Sequence, residues 1–184
     1  MNSFGTRPTL DSEGKERRKQ VLAAPVVGRL PTDIDRFTRG SLIMPTIGTY
    51  RSWTFDLPAE FGHRDVTAEV QDLVAESGIA TGMASVQLVG STGAVTTIEY
   101  ESGALEDLKH ALDRMAPTDA HYEHNARWGD GNGFSHVRSA ILKTSIAVPV
   151  IDRRLDLGTW QQIVIINLDN RSRTRKLTAV VVGV

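Results

Sequence analysis

Three histidines lie in the middle of the chain, two in a polar segment and one in the helix predicted to follow it: His121, His124 and His136. Neutral imidazole binds divalent metal ions and protonated imidazole binds phosphate, so these residue types could serve either chemistry. Arg138 lies two positions beyond the last histidine, and its guanidinium could pair with two phosphate oxygens at once. The structural alternative is a surface or core histidine at position 136 and an exposed helical cation at position 138.

A short glycine-rich stretch, Gly129–Asn132, precedes this predicted helix. The exposed backbone N–H groups at the N-terminus of that helix could hold an anion. The same four residues are also what a tight turn and a helix start require. The sequence leaves both interpretations open.

The composition excludes several classes of protein. The chain has 184 residues and no cysteine, which rules out disulfide scaffolds, cysteine-ligated metal sites and cysteine nucleophiles. A net charge of -1 argues against a surface built for nucleic acid. No apolar run approaches the roughly 18 residues that a membrane helix requires, and no signal peptide is recognisable at the start. We therefore expect a cytoplasmic protein with neither nucleic acid nor membrane as a partner.

The first 45 residues differ in amino-acid composition from the rest of the chain. They hold eight basic and five acidic residues and four prolines, which leave no room for a long helix. We predict an N-terminal extension or arm over residues 1–45, partly disordered, and a single domain over residues 46–184. The basic run Lys15–Lys19 is either a solvated tail or part of an arm that binds a protein partner or RNA. Two apolar pieces, Val21–Val27 and Leu42–Ile47, could dock on a surface.

From residue 50 onward the pattern predicts about six strands and three helices. Helices are predicted over Arg64–Ser77, from a cap at Ser102 to Met115, and over Ser135–Leu142, with His121–Gly133 as a polar loop. The apolar side of the second helix is predicted to consist of Leu105, Leu108, Leu112 and Met115. The apolar side of the third is predicted to consist of Phe134, Val137, Ile141 and Leu142. Strands are predicted around Trp53 and Phe55 and over 80–89, 93–101, 146–150, 160–168 and 176–182. Because the strands cluster in adjacent pairs, the pattern favours an α+β fold with a mostly antiparallel sheet.

The last third of the chain carries specific motifs. The string LGTWQ occupies Leu157–Gln161 after a proline-containing strand, and the chain closes with DNRSRTRKLTAVVVG over Asp169–Gly183. Together with the run Gly129–Asn132 and Ser135–Ala140, these motifs resemble those of the YjbQ family of secondary thiamine-phosphate synthase-like proteins. The resemblance covers about residues 50–184.

This resemblance implies a compact α+β subunit that forms a homotrimer, with sites near the subunit contacts. It also implies a transferase that joins a pyrimidine diphosphate to a thiazole phosphate and releases pyrophosphate, whose charge cations or hydrogen-bond donors must neutralise. By this resemblance the catalytic candidates are His136, Glu99 and Arg138, and the ligand- or anion-binding candidates are Asn132, Thr92 and Gln161. His124 and His136 are the candidate ligands of a divalent metal such as zinc, weakly held or absent.

The chain departs from the family pattern in three motifs of this implied site. Gly90 stands where the family has the histidine of a His-Thr-Thr-Ala turn, and Phe134 replaces the first histidine of a His-x-His pair. In a neighbouring Asn-Glu-Asn motif, Ile98 and Tyr100 replace the asparagines and only Glu99 is kept. Each lost ligand removes an interaction that no nearby residue obviously replaces.

Two functions from different classes therefore remain. The favoured one is a YjbQ-like trimeric protein with a degenerate site that acts as a scaffold or interaction subunit. The alternative is a transferase of the thiamine-phosphate synthase type, or an altered chemistry on a phosphorylated small molecule, that uses the remaining His/Glu/Arg site.

Overall fold

The computed structural model describes residues 27–29 and 47–184. Most of the predicted arm, including Lys15–Lys19 and nearly all of both apolar pieces, lies outside the described residues. Within the described part, no helix has both the length and the hydropathy needed to cross a membrane.

The larger of two sheets has six strands, and every described strand pair in the molecule is antiparallel. In spatial order its strands are β1 (Val27–Arg29), β2 (Ile47–Leu57), β9 (Arg173–Gly183), β4 (Thr81–Val89), β6 (Ser145–Ile151) and β7 (Arg154–Leu155). Strand β1 lies within the predicted arm and forms the edge of the sheet, with Gly28 opposite Tyr50 of β2.

The smaller sheet has three strands and carries the residues that position the candidate site. Its central strand is β8 (Gln162–Asn167), which pairs with β3 (Gly62–Asp65) on one side and β5 (Gly93–Ile98) on the other. β8 is buried along nearly its whole length, which fits its run of β-branched residues.

Four helices complete the described part: α1 (Thr67–Ser77), α2 (Ser102–Met115), α3 (Glu123–Trp128) and α4 (Gly133–Leu142). Helix α1 buries Val70, Leu73 and Val74 and ends at Gly78, whose left-handed φ of 74° terminates the helix. Together with the antiparallel sheets, these helices confirm the predicted α+β class.

Two hydrophobic clusters hold the layers together. The first lies between the sheets and includes α1, with Val86, Leu177 and Ile165 fully buried. The second packs α2 against the other side of the three-stranded sheet through Leu105, Leu112 and Ile166. Burial of one large aliphatic side chain is worth about 1.5–3 kcal/mol, so these contacts determine which face of each element is inside.

Several predicted details were wrong. The segment predicted as the loop His121–Gly133 contains α3, a six-residue helix that ends at Gly129 with a φ of 66°. The cap of α2 is Glu101, not Ser102: its carboxylate accepts from the backbone N–H groups of Gly103 and Ala104 at 2.7 and 3.0 Å. These bonds lower the pKa of Glu101, because they favour its charged form.

Boundaries and faces also needed correction. Helix α1 begins at Thr67, because Arg64 and Asp65 pair with β8 as part of β3. Met115, predicted on the buried side of α2, is 60% exposed. In α4 the predicted apolar side is divided: Phe134 is buried, whereas Val137 and Ile141 are exposed.

Candidate functional site

The predicted site residues other than Arg138 fall into two groups at opposite ends of the three-stranded sheet. Thr92 precedes the first residue of β5 and Glu99 follows its last residue. At about 3.3 Å per residue, an extended strand separates these two residues by roughly 23 Å. We call the group of Thr92, His124, Asn132 and His136 the histidine end, and the group of Glu99 and Gln161 the glutamine end. One chain does not bring the two groups together.

At the histidine end, α3 and α4 place two imidazoles side by side. The ring centroids of His124 and His136 are 4.4 Å apart, and the ring planes are inclined by 47°. His124 Nε2 lies 3.2 Å from Asp130 Oδ2. Because an ionised carboxylate only accepts hydrogen bonds, Nε2 carries the proton and donates it to Asp130. Nδ1 is then the only nitrogen of His124 left to accept a proton or a metal.

Asp130 is held as an anion by its neighbours. Some desolvation acts to raise its pKa, but hydrogen bonds from the backbone N–H of Asn132, at 3.2 Å, and from His124 outweigh it, so the pKa lies below the usual value. The ionised carboxylate therefore fixes the orientation of the His124 ring, which is the usual arrangement around an acid–base histidine.

The ring of His136 lines a surface hollow of about 420 Å³. The lining residues come from the turn before β5 and from α4 and its C-terminal end: Gly90, Ser91, His136, Ser139, Ala140, Lys143 and Thr144. The hollow thus joins the turn of Gly90 and Ser91 to the helix that carries His136. Sequence reasoning missed Lys143, the cation of this hollow; only its position one residue beyond the end of the His136 helix could have indicated it.

Arg138 does not line the hollow of His136; it lies at the wall of a separate hollow of about 380 Å³ that it shares with Lys109 and Asp113. Its guanidinium is buried and donates to the carbonyl oxygen of Ala116 from Nε at 2.9 Å and from Nη2 at 2.7 Å, and Nη2 also reaches Asp113 Oδ1 at 2.8 Å. The guanidinium carbon lies 4.9 Å from the ring centre of Phe134. The structure therefore places Arg138 beneath the C-terminal end of α2 rather than beside His136.

Thr92 belongs to a buried ionic network. Its hydroxyl donates to Asp169 Oδ2 at 2.9 Å and accepts from Arg175 Nη2 at 2.8 Å. Arg173 Nε donates to the same carboxylate at 3.0 Å. Burial alone would raise the pKa of Asp169, but the bonds from Arg173 and Thr92 outweigh it and hold that pKa below its usual value. Burial lowers the pKa of Arg175, and the charge of Asp169 partly offsets that effect.

Asn132 fastens the start of α4 to the loop after β8. Its side-chain oxygen accepts from the hydroxyl of Ser135 and from the backbone N–H of Asn170, the latter at 3.2 Å. Asn170 in turn donates to the carbonyl of Asp130 at 2.9 Å. The side-chain oxygens of Thr92 and Asn132 thus have protein partners. Both partners, Asp169 and Asn170, belong to the closing sequence motif, which is the feature of the sequence that could have indicated these contacts.

At the glutamine end, the side chain of Gln161 stabilises the turn before β8 by two hydrogen bonds. Its amide nitrogen donates to Thr97 Oγ1 at 3.0 Å, and its amide oxygen accepts from the backbone N–H of Gly158 at 3.1 Å. Glu99 is exposed nearby, and the adjacent Trp160 is 71% exposed. A second hollow, of about 550 Å³, includes Gln161 in its lining.

The metal prediction can be compared with the donors that one chain offers. Within residues 47–184, no group of three or more histidine and carboxylate side chains is placed to hold a metal ion. One nitrogen of His124 is already bonded to Asp130, and Glu99 lies at the far end of β5. Within one chain, the two imidazoles and Glu99 do not form a common set of ligands.

The motifs and the fold both match known proteins. A family model described as "UPF0047 protein YjbQ-like" matches residues 51–184. A UPF0047 protein of Methanothermobacter thermautotrophicus is 38% identical over 135 residues, which cover 71% of this chain and 92% of that protein. A UPF0047 protein of Mycobacterium tuberculosis is 38% identical over 101 residues, covering 54% of this chain and 75% of that protein.

Solved structures of similar proteins have the same fold as this chain. A YbjQ-like protein of unknown function from Sulfolobus solfataricus superimposes with a TM-score of 0.72 at 26% identity, covering 76% of this chain and 99% of that one. A hypothetical protein from Aeropyrum pernix gives a TM-score of 0.64 at 27% identity, covering 72% and 98%.

Proposed function

Because the chain belongs to the YjbQ-like UPF0047 family, we propose that it is a homotrimeric cytoplasmic subunit whose transferase site is degenerate, and that it acts as a scaffold or interaction subunit. Residues 1–45 are the part of the chain that would bind the protein partner. The observation that carries this proposal is the position of Arg138.

Arg138 is the cation predicted to neutralise a departing diphosphate, but its guanidinium is already hydrogen-bonded to other groups of the protein. Three donor bonds tie its guanidinium to Ala116 and Asp113, and its side chain is 5% exposed. Turning it toward His136 would leave the carbonyl of Ala116 without this donor, at a cost of about 1–3 kcal/mol. A transition state that develops charge on a leaving group needs a donor already in place.

The backbone at position 90 supports the same conclusion. Gly90 has a φ of 127°, a conformation that residues with a side chain rarely adopt, and a Cβ atom there would lie 3.1 Å from Arg175 Nη1. The histidine that the resemblance implies does not fit this backbone. Phe134, at the other lost position, is 3% exposed and packs against Arg138.

The test is a direct assay of the transferase reaction with the full chain. We expect no release of pyrophosphate above background from a pyrimidine diphosphate and a thiazole phosphate, with or without added zinc. Release that His136→Ala abolishes, and that Arg114→Ala at an exposed position on α2 leaves intact, would overturn the degenerate-site proposal.

A second candidate function rests on the hollow around His136. Lys143 and a protonated His136 would give it two positive charges, and Ser91 and Thr144 bring hydroxyl groups to its wall. The hydroxyl of Ser139 is already donated to the carbonyl of Gly93 at 2.6 Å. Such a hollow suits a phosphorylated small molecule, bound with or without turnover.

Calorimetric titration with pyrophosphate distinguishes this candidate from a pure scaffold. Binding tighter than about 10 μM, equivalent to about −7 kcal/mol, would support it if both His136→Ala and Lys143→Ala weaken the binding. Arg114→Ala is the matched control for loss of one positive charge. If the wild-type chain does not bind pyrophosphate, the second candidate is excluded and the scaffold function remains.

A further inference from the structure

Arg175 is a buried arginine whose guanidinium is only partly used by the fold. Its side chain is 8% exposed. Nε donates to Asn167 Oδ1 at 3.0 Å, and Nη2 donates to the carbonyl and to the hydroxyl of Thr92, both at 2.8 Å. Nη1 donates to no group among the residues that the structure describes. The guanidinium is therefore fixed on one side, while the two N–H groups of Nη1 are free for a further acceptor.

The free nitrogen of Arg175 lies beside Gly90. A Cβ atom on Gly90 would lie 3.1 Å from Nη1, so the lack of a side chain at this position leaves the nitrogen uncovered. Within the described part of the chain, the only fully buried side-chain nitrogen or oxygen without a hydrogen-bond partner is Nε of Arg51. Nη1 of Arg175 is therefore in contact with solvent. Because Gly90 lines the hollow of His136, the opening over Nη1 lies at that hollow.

The charges around Arg175 leave room for an anion. Asp169 Oδ2 lies 3.0 Å from Arg173 Nε and 3.8 Å from Arg175 Nη2. Among the described residues, Asp169 is the only carboxylate within 4 Å of either guanidinium. Two positive charges thus share one negative charge, and a buried charge is stabilised when it is fully paired. A second anion at Nη1 would complete the pairing.

We infer that Arg175 is a ligand-binding residue, which holds the phosphate group of a small molecule through Nη1 at the opening beside Gly90. Lys143 and His136, on the wall of the same hollow, supply the remaining positive charge. The inference rests on the second candidate function, the binding of a phosphorylated small molecule. It adds which buried group holds the phosphate and why the turn needs glycine at position 90.

The donors favour a phosphate over a carboxylate. Arg175 cannot offer its paired fork, because Nε and Nη2 are already used, so it contacts a single oxygen of the ligand. The other cations come from α4 and from the residue after it. A phosphate monoester has three free oxygens that point in different directions and can meet donors from three segments, whereas a carboxylate has two oxygens in one plane. The hollow of about 420 Å³ is of the size that holds a small molecule.

Calorimetric titration of the full chain with inorganic phosphate tests the inference. We expect the wild-type chain to bind with a dissociation constant below about 1 mM. Gly90→Ala places a methyl group 3.1 Å from Nη1 and should weaken the binding at least tenfold. Arg175→Lys keeps the positive charge but replaces the planar fork by one ammonium group, which cannot hold Asn167 and Thr92 and also reach the ligand. We expect a loss of at least tenfold here too.

Gly78→Ala is the matched control for the strain of Gly90→Ala. Gly78 also has a positive φ, of 74°, but it lies at the end of α1, and a Cβ atom there would meet nothing within 4 Å. We expect its phosphate affinity to stay within about twofold of wild type. Far-UV circular dichroism confirms that each variant is folded, and if Arg175→Lys is not, the two glycine variants decide the question.

Nuclear magnetic resonance of the guanidinium groups observes the contact directly. The N–H resonances of Arg175 are those that disappear in Arg175→Lys or, if that variant does not fold, those that shift in Gly90→Ala and not in Gly78→Ala. We expect them to move when phosphate is added to the wild-type chain. Acetate at the same concentration should move them much less, because a carboxylate cannot meet all three donors.

Three results would overturn the inference. Phosphate binding that Gly90→Ala leaves unchanged would mean that other groups hold the anion, and would leave the second candidate function intact. Acetate binding as tight as phosphate binding would mean that the site takes carboxylates. If the wild-type chain binds neither phosphate nor pyrophosphate, both this inference and the second candidate function fail, and the scaffold function is unaffected.

Discussion

Arg138 donates two hydrogen bonds to the carbonyl oxygen of Ala116, at 2.9 and 2.7 Å, although the two residues are 22 positions apart in the sequence. Ala116 is the C-cap of α2, where the last carbonyl groups lack partners within the helix and the helix dipole is negative. The buried guanidinium of Arg138 supplies hydrogen-bond donors to the unpartnered carbonyl group, and its positive charge is attracted to the negative end of the helix dipole. Arg138 therefore joins α4 to α2 through hydrogen bonds within the fold.

Removing this side chain should destabilise the protein. For Arg138→Ala we expect the free energy of unfolding to fall by about 2–4 kcal/mol, because the carbonyl of Ala116 loses its donor and a cavity opens beside Phe134. Urea denaturation measures the change. Arg114→Ala, at an exposed position on α2, should stay within about 0.5 kcal/mol of wild type. If Arg138→Ala were as stable as wild type and pyrophosphate binding were lost, Arg138 would be a ligand-binding residue.

The turn before β5 should not tolerate a side chain at its first position. Gly90→Ala forces a residue with a Cβ atom into a φ of 127°, 3.1 Å from a buried guanidinium. We expect a loss of about 1–3 kcal/mol in the free energy of unfolding. Ser91→Ala, next along the chain and exposed, should change it by less than about 0.5 kcal/mol. Equal stability of the two variants in thermal denaturation would contradict the strain assigned to Gly90.

The ionic network around Asp169 should make stability depend on pH. The pKa of Asp169 is lower in the folded protein than the ordinary value of about 3.9, so the network stabilises the fold above that pH and loses this contribution as pH falls through the folded-state pKa. Asp169→Asn should therefore cost about 3 kcal/mol at pH 7, and the difference from wild type should shrink below about pH 4.

Urea denaturation of both proteins at a series of pH values from 7 to about 2 measures this difference. Asp119→Asn, at an exposed position, is the control and should follow wild type throughout. A difference between Asp169→Asn and wild type that does not change with pH would show that the charge of Asp169 is not what stabilises the network.

The close approach of β4 to β9 should require glycine. A Cβ atom on Gly82 would lie 2.1 Å from the carbonyl oxygen of Val182, a distance at which the backbone itself must move. Gly82→Ala should lower the free energy of unfolding by about 2 kcal/mol or more. At Gly158 the nearest atom would be 3.7 Å away, so Gly158→Ala should be neutral or slightly stabilising. Similar midpoints of unfolding for the two variants would refute this account of the strand contact.

Local patterns in the sequence predicted much of the fold. The period of the apolar residues predicted most of the helices and strands that the structure contains, because it records which side of each element faces a core. Strands that occur in adjacent pairs predicted an antiparallel α+β fold. The motifs LGTWQ and DNRSRTRKLTAVVVG predicted the family. Glycine-rich composition misled at α3, where six residues form a helix between Tyr122 and Gly129.

The candidate site was predicted only in part. The sequence grouped His124 with His136, and their rings do lie 4.4 Å apart. It also grouped both with Glu99, which the extended strand β5 keeps at the opposite end of the sheet. The sequence did not predict Lys143, which lines the hollow of His136 because α4 ends beside the turn of Gly90 and Ser91.

The sequence by itself therefore determined the fold class, the family and which residue types are available for chemistry. Only the tertiary structure decided which protein groups those residues contact: Arg138 donates to the carbonyl of Ala116, and Thr92 donates to Asp169. The physical reason is that a hydrogen-bonding group binds whichever partner packing brings within about 3 Å, and here those partners come from segments far away in the sequence.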